Sequence, residues 1–279
     1  MILIDFAPGL HGHFLEFVIN RYIFDVEYSV DSIFQSTGAA HVINIDPVYQ
    51  KNKVVNSQHY SSLQNKKKYK TQFNKIIFIR HNPKFDFVLL TNMFYRCHRD
   101  AVHSNDVNAE LIIAFHAQMM GEDSTDRELR NNWFTKLNER HFAECEKQAE
   151  SNVPIFDFDF GSFFNLNAFL QELQQTAEYL DMTVKFDLSL VELWNEFIDQ
   201  NQGYKLHNLG NTILNHVYND HDVEIPNDWK LHAYINDVIS KTFRIYDGEL
   251  FESDVYPTST RQVYKIIMNH ISSFDTRFS

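Results

Sequence analysis

Apolar residues fill Met1 to Ile4, stop at Ala7-Pro8-Gly9-Leu10-His11-Gly12, and resume at Phe14, Leu15, Phe17, Val18, Tyr22 and Ile23. That pattern predicts a strand, a tight turn and a helix. His41-Val42-Ile43-Asn44-Ile45-Asp46, stopped by Pro47, is the next strand candidate, and a polar segment rich in Lys and Asn follows to about Asn74. Lys75-Ile76-Ile77-Phe78-Ile79-Arg80 is a continuous apolar run, the pattern of a strand buried on both faces of a parallel sheet. After Asp86 the run FVLLTNMFYR suits a helix or a second buried strand equally well.

Helical spacing then dominates. Asn108 to Met120 carries Leu111, Ile112, Phe115 and Met119, and Thr125-Asp126-Arg127-Glu128 is a capping box opening a long helix. Val153 to Phe158 returns to strand character, with Phe156 and Phe158 on one side. Asn167 to Leu180 predicts a helix. Ser189-Leu190-Val191-Glu192 reads as a capping box for another, ending near Gly203. Leu209 to His221, Asp228 to Thr242 and Ser259 to Ser272 are also expected to be helical.

Strands alternating with helices over the first 160 residues imply an α/β fold, a short parallel sheet flanked by helices. One domain over residues 1–279 is expected, with 160–279 mainly helical and packed on the sheet. Ligands of such sheets bind beyond the carboxyl ends of the strands. The turn after the first strand and the turn after Arg80 are therefore expected to face one crevice.

Composition narrows the choice of ligand. With 44% hydrophobic residues the chain can bury a core, and a net charge of −12 argues against nucleic acid as a partner. The local basic run Lys66-Lys67-Lys68-Tyr69-Lys70 fits a solvated loop. The two cysteines, Cys97 and Cys145, make neither a disulfide framework nor a thiolate zinc site, which suits a reducing, cytoplasmic setting. No membrane span is expected. Cys97-His98 with His103, and His216 with His221 and Asp222, contain metal-ligand types without a known site spacing, so no metal is assigned.

A helix that starts in a turn presents unpaired N–H groups and the positive end of its dipole, a suitable setting for phosphate or sulfate. The Gly-Lys-Ser/Thr ending of the P-loop pattern is absent here. Even so, the chain resembles a sulfotransferase of the P-loop-like superfamily, the enzymes that use 3′-phosphoadenosine 5′-phosphosulfate (PAPS). Ala7 to Glu16 stands where that family has its 5′-phosphosulfate loop. Ile76 to Arg80, then Asn82-Pro83-Lys84 and Leu89-Leu90-Thr91, is similar to the strand, the Asn-Pro-basic turn and the hydroxyl residue that hold the 3′-phosphate. Ile155 to Asp159, Phe169 to Leu173 and Tyr179-Leu180 are similar to the family's late strand and the helix after it. Leu190 to Gly203, with Trp194, Phe197 and Asn201, is similar to the closing segment of sulfotransferase-like proteins of environmental bacteria and phages.

The resemblance implies transfer of a sulfuryl group from PAPS to a hydroxyl of a glycan, lipid or small molecule, with adenosine 3′,5′-bisphosphate as product. Gly9, Leu10, His11, Gly12, His13, Phe14, Arg80 and Thr91 are the implied cofactor-binding residues, and Glu16, His11 and His13 the implied catalytic ones. The loop carries His11, His13 and Phe14 where the family usually has Lys and a Ser/Thr pair. Each position has a plain reading beside the functional one: turn histidines bonded locally, a helix acid at Glu16, a surface ion pair at Arg80, and a cap at Thr258, Thr260 and Arg261. Two other functions stay open, a non-catalytic binding or assembly protein with a degenerate P-loop-like fold, and a nucleotide-dependent small-molecule kinase.

Overall fold

A computed structural model of the chain describes residues 2–6, 9–27, 51–59, 73–85, 88–89, 153–243 and 256–275. The strand expected at His41–Asp46, the basic run at Lys66–Lys70, most of the segment after Asp86, the helices of 108–150, both cysteines, His98, His103 and Thr91 lie outside the described residues. The structure gathers into two compact units, Met1–Gly203 and Tyr204–Ser279.

The first unit is built on four strands, β1 (Ile2–Phe6), β2 (Val55–His59), β3 (Lys75–Arg80) and β4 (Ile155–Asp159), in the order β2-β1-β3-β4. All neighbours run parallel, with Ile4 opposite both Ser57 and Ile77, and Arg80 opposite Asp159. β3 is buried from Ile76 to Ile79, as its unbroken apolar run requires. Its first residue also stops a helix: Lys75 Nζ donates to the Tyr179 carbonyl and to Asp181, both at 2.6 Å, at the carboxyl end of α2 (Leu166–Tyr179).

The helix α1 (Gly12–Tyr22) follows β1. It buries Phe14, Leu15, Phe17, Val18, Ile19 and Tyr22, and with them the polar Glu16 and Asn20. Those two residues explain β2, which the polar segment before Asn74 concealed. Asn20 Oδ1 accepts from the N–H groups of Val54 (2.8 Å) and Val55 (2.9 Å), while its Nδ2 donates to the Val55 carbonyl at 3.0 Å. A side-chain amide thus pairs the outer edge of β2 as a neighbouring strand would. Replacing Asn20 by alanine removes these three bonds, two of them to the fully buried Val55. The expected cost is about 2–3 kcal/mol, measured by urea unfolding.

After β4 the chain makes a short turn, Phe160–Phe164, entirely buried, and enters α2 with the Asn165 side chain accepting from Ala168 N–H at 3.0 Å. Helix α3 spans Leu188–Gln200. Its cap corrects the expected capping box: Asp187, not Ser189, accepts from Leu190 N–H at 3.1 Å, and the Ser189 hydroxyl donates to Asp187 at 2.6 Å. A carboxylate is the stronger acceptor at a helix start, and the bond from Ser189 holds its pKa below the ordinary value. The expected end near Gly203 is corrected too, because α3 stops at Gln200, Asn201 is extended, and α4 (Gln202–Tyr218) begins at once with Gly203 in its first turn.

The second unit contains most of α4, with α5 (Trp229–Phe243) and α6 (Thr260–Asp275). Gly210 lies so close to the Tyr234 ring that a Cβ would overlap it, and the Tyr234 hydroxyl donates to Asn211 at 2.6 Å. Thr260, at 0% exposure, accepts from Val223 N–H at 2.9 Å and donates to the His221 carbonyl at 2.5 Å. Its hydroxyl therefore ties the start of α6 to the loop before α5. Arg261 pairs with Asp222 at 3.5 Å.

Candidate functional site

The strand order fixes where a ligand crevice can lie. Among the described strands, the chain passes from β1 to β2 on one side of the sheet and from β3 to β4 on the other. Connections leaving in opposite directions open a crevice outside the carboxyl ends of the strands between them, here β1 and β3. The turn Gly9–His11 follows β1, and Arg80-His81-Asn82 closes β3, so the two turns expected to share a crevice sit on adjacent strands.

The turn itself is bent by two left-handed residues, Gly9 (φ 91°) and His11 (φ 58°). Gly12 is the first helical residue, and its missing Cβ is what lets α1 approach β1, since any side-chain carbon there would overlap the Phe6 ring. The first bond within the helix runs from Leu15 N–H to the His11 carbonyl at 3.1 Å, so the amides of Gly12, His13 and Phe14 precede it. The predicted loop residues divide by burial: Leu10 and Phe14 are at 0% exposure and belong to the core, whereas Gly9 and His13 are half-buried.

His11 is enclosed. Its ring stacks on Phe160 (centroids 5.5 Å apart) and meets Phe163, Phe164 and Phe197 edge-on at 5.7, 6.0 and 4.9 Å. Nε2 lies 3.2 Å from Asn201 Nδ2, and Nδ1 is buried without a hydrogen-bond partner among the described residues. Desolvation in this apolar shell lowers the imidazole from 6.5 to about 3, so at neutral pH it is uncharged.

His13 and Glu16 meet on the other side of α1, at β2. Ser57 Oγ lies 2.8 Å from His13 Nδ1 and donates a short hydrogen bond to Glu16 Oε2. The same carboxylate oxygen accepts from Ser57 N–H at 2.8 Å, and Oε1 pairs with Lys53 Nζ at 3.3 Å. Glu16 thus joins α1 to β2 as Asn20 does one turn later. Ser57 and Lys53 carry no signal in the sequence, because both fall in the polar stretch that showed no strand pattern.

Arg80 is half-exposed and its guanidinium pairs with Asp157 on β4. Beside it, Asn82 Nδ2 donates to Asp159 at 3.0 Å, and a Cβ on Gly161 would come within 2.6 Å of the same nitrogen. Glu172 on α2 is held above the usual carboxylate range by desolvation first and by the charge of Asp159 second, against the Asp159 backbone N–H that lowers it. The structure thus brings His13 and Glu16 together through Ser57, seals His11 beside Asn201, and places Arg80 with Asp157. Among the described residues no group of three or more His, Cys, Asp or Glu is arranged to hold a metal ion, and no helix is long and apolar enough to cross a membrane. The chain matches no protein-family model, no curated protein and no solved structure.

Proposed function

We propose that the protein binds PAPS in the crevice outside β1 and β3 and transfers its sulfuryl group to a hydroxyl of a glycan, lipid or small-molecule acceptor. The observation that carries this reading is topological: the β1–α1 turn and the Arg80 turn end adjacent strands where the connections diverge. The amides opening α1 suit the phosphosulfate, and Arg80, exchanging Asp157 for a phosphate, suits the 3′-phosphate. Sulfuryl transfer, like phosphoryl transfer, rests on positioning and charge stabilisation, so amide donors and a cation supply most of what it needs. The acidic balance favours a neutral acceptor, and the scarcity of cysteine suits the cytoplasm.

Two observations favour a second reading. His11 is sealed among phenylalanines and Glu16 already holds Ser57 and Lys53, which suits a protein that binds the nucleotide without transferring from it. A small-molecule kinase fits less well, because the loop contains no lysine. Titration of adenosine 3′,5′-bisphosphate into the folded chain tests the shared binding claim, and transfer of label from PAPS separates the two readings.

A further inference from the structure

Helix α4 ends in a turn that folds back on it. Asp220 adopts the left-handed backbone (φ 54°), its N–H donates to the Val217 carbonyl at 3.3 Å, and the His221 N–H reaches the His216 carbonyl at 2.9 Å. Such a pair of bonds closes many helices and sets the residue after the left-handed one beside the helix's own last turn. Here it brings two imidazoles together, His216 on the helix and His221 on the turn, with ring centroids 5.7 Å apart and planes at 48°. The His221 backbone is pinned on its other side too, because its carbonyl accepts from the buried Thr260 hydroxyl at 2.5 Å. Neither ring has a hydrogen-bond partner among the described residues; His221 is exposed and His216 half-buried. Asp222, which the sequence groups with them, pairs instead with Arg261. The carbonyl end of α4 and the exposed carboxylate of Asp220 beside it favour a cation.

We infer that His216 and His221 form a two-ligand site for a divalent transition-metal ion, zinc, copper or nickel, with water in the remaining positions. Imidazole suits these ions, whereas magnesium and calcium take oxygen donors. Two imidazoles on one tetrahedral ion, each bonded at about 2.0–2.1 Å, place their ring centres roughly 5 Å apart. A small rotation about the exposed His221 side chain closes the difference from the observed spacing. The backbone bonds have already fixed both residues, so the ion orders only side chains and the second imidazole binds as an intramolecular ligand. Bound there, the ion clips the carboxyl end of α4 to the turn that Thr260 of α6 holds.

Zinc titration of the labelled full chain, followed on the imidazole nitrogens by two-bond nitrogen–proton correlation spectra, tests the site. Each ring is assigned by its absence in His216→Gln or His221→Gln. One nitrogen on each ring is expected to move, both at the same zinc concentration, and magnesium is expected to move neither. His221 is exposed and its bonds to His216 and Thr260 are made by its backbone, so His221→Gln keeps the fold, which circular dichroism checks. In that variant the His216 nitrogen is expected to need roughly 100-fold more zinc, because the chelate has become a single ligand. Rings that respond at different zinc concentrations, rings that do not respond at all, or a His216 response unaltered in a folded His221→Gln overturn the inference.

Discussion

His11→Asn is expected to flatten the acid limb of the stability curve. Asparagine tolerates the left-handed backbone that His11 adopts and is a good helix cap, so the substitution removes the titrating ring while suiting the turn. The sign follows from linkage. Burial puts the folded pKa at about 3 against 6.5, so the unfolded chain binds a proton that the folded chain refuses. The resulting stability is complete above the unfolded value and drains away as pH falls toward the folded one, at about 1.4 kcal/mol per pH unit and about 4–5 kcal/mol in all. Urea unfolding at pH 7 and at pH 4.5 should show the unsubstituted chain losing about 2–3 kcal/mol more than His11→Asn over that span. Equal losses would mean that His11 is not sealed as described. His207 and His232, also lowered by burial, titrate in both proteins and cancel from the difference.

Phe197→Ala carries the second large effect. Phe197 lies flat on Phe14, with centroids 4.2 Å apart and planes 9° from parallel, and both are at 0% exposure. It also closes the shell around His11. Truncating it removes a stacked pair and opens a cavity, at a cost of about 3–5 kcal/mol. The same change wets His11, so its ring should titrate nearer the ordinary range. Thermal unfolding gives the first effect, and the imidazole proton shift against pH the second. A small loss of stability with the His11 titration unmoved would contradict the packing account.

How much of this was legible in the chain depends on what each segment is stabilised by. β3 was readable because both its faces are buried, and the β1–turn–α1 start because a strand and a helical stripe flank two glycines. β2 was not, since VNSQH takes its edge partners from Asn20 and its second anchor from Glu16, and such long-range pairing leaves no period-two trace. The start of α3 misled because Ser189 and Asp187 are both good caps and only the fold selects the carboxylate.

The candidate site divides in the same way. That the turns after β1 and β3 lie near one another followed from alternation of strands and helices, and the strand order has β1 beside β3. The fate of its residues did not. His11 looked like a loop ligand, but Phe160, Phe163, Phe164 and Phe197, all distant in sequence, converge on it. Glu16 looked like a base within the helix. Its partners Lys53 and Ser57 come from the polar segment and turn it into a tie between α1 and β2.

The binding of adenosine 3′,5′-bisphosphate, followed by calorimetry, tests the central claim most directly. Saturable one-to-one binding, weakened roughly 10- to 100-fold by Arg80→Ala through loss of a charged contact to phosphate, is the predicted result. Absence of any heat beyond dilution with the pure, folded chain would contradict it.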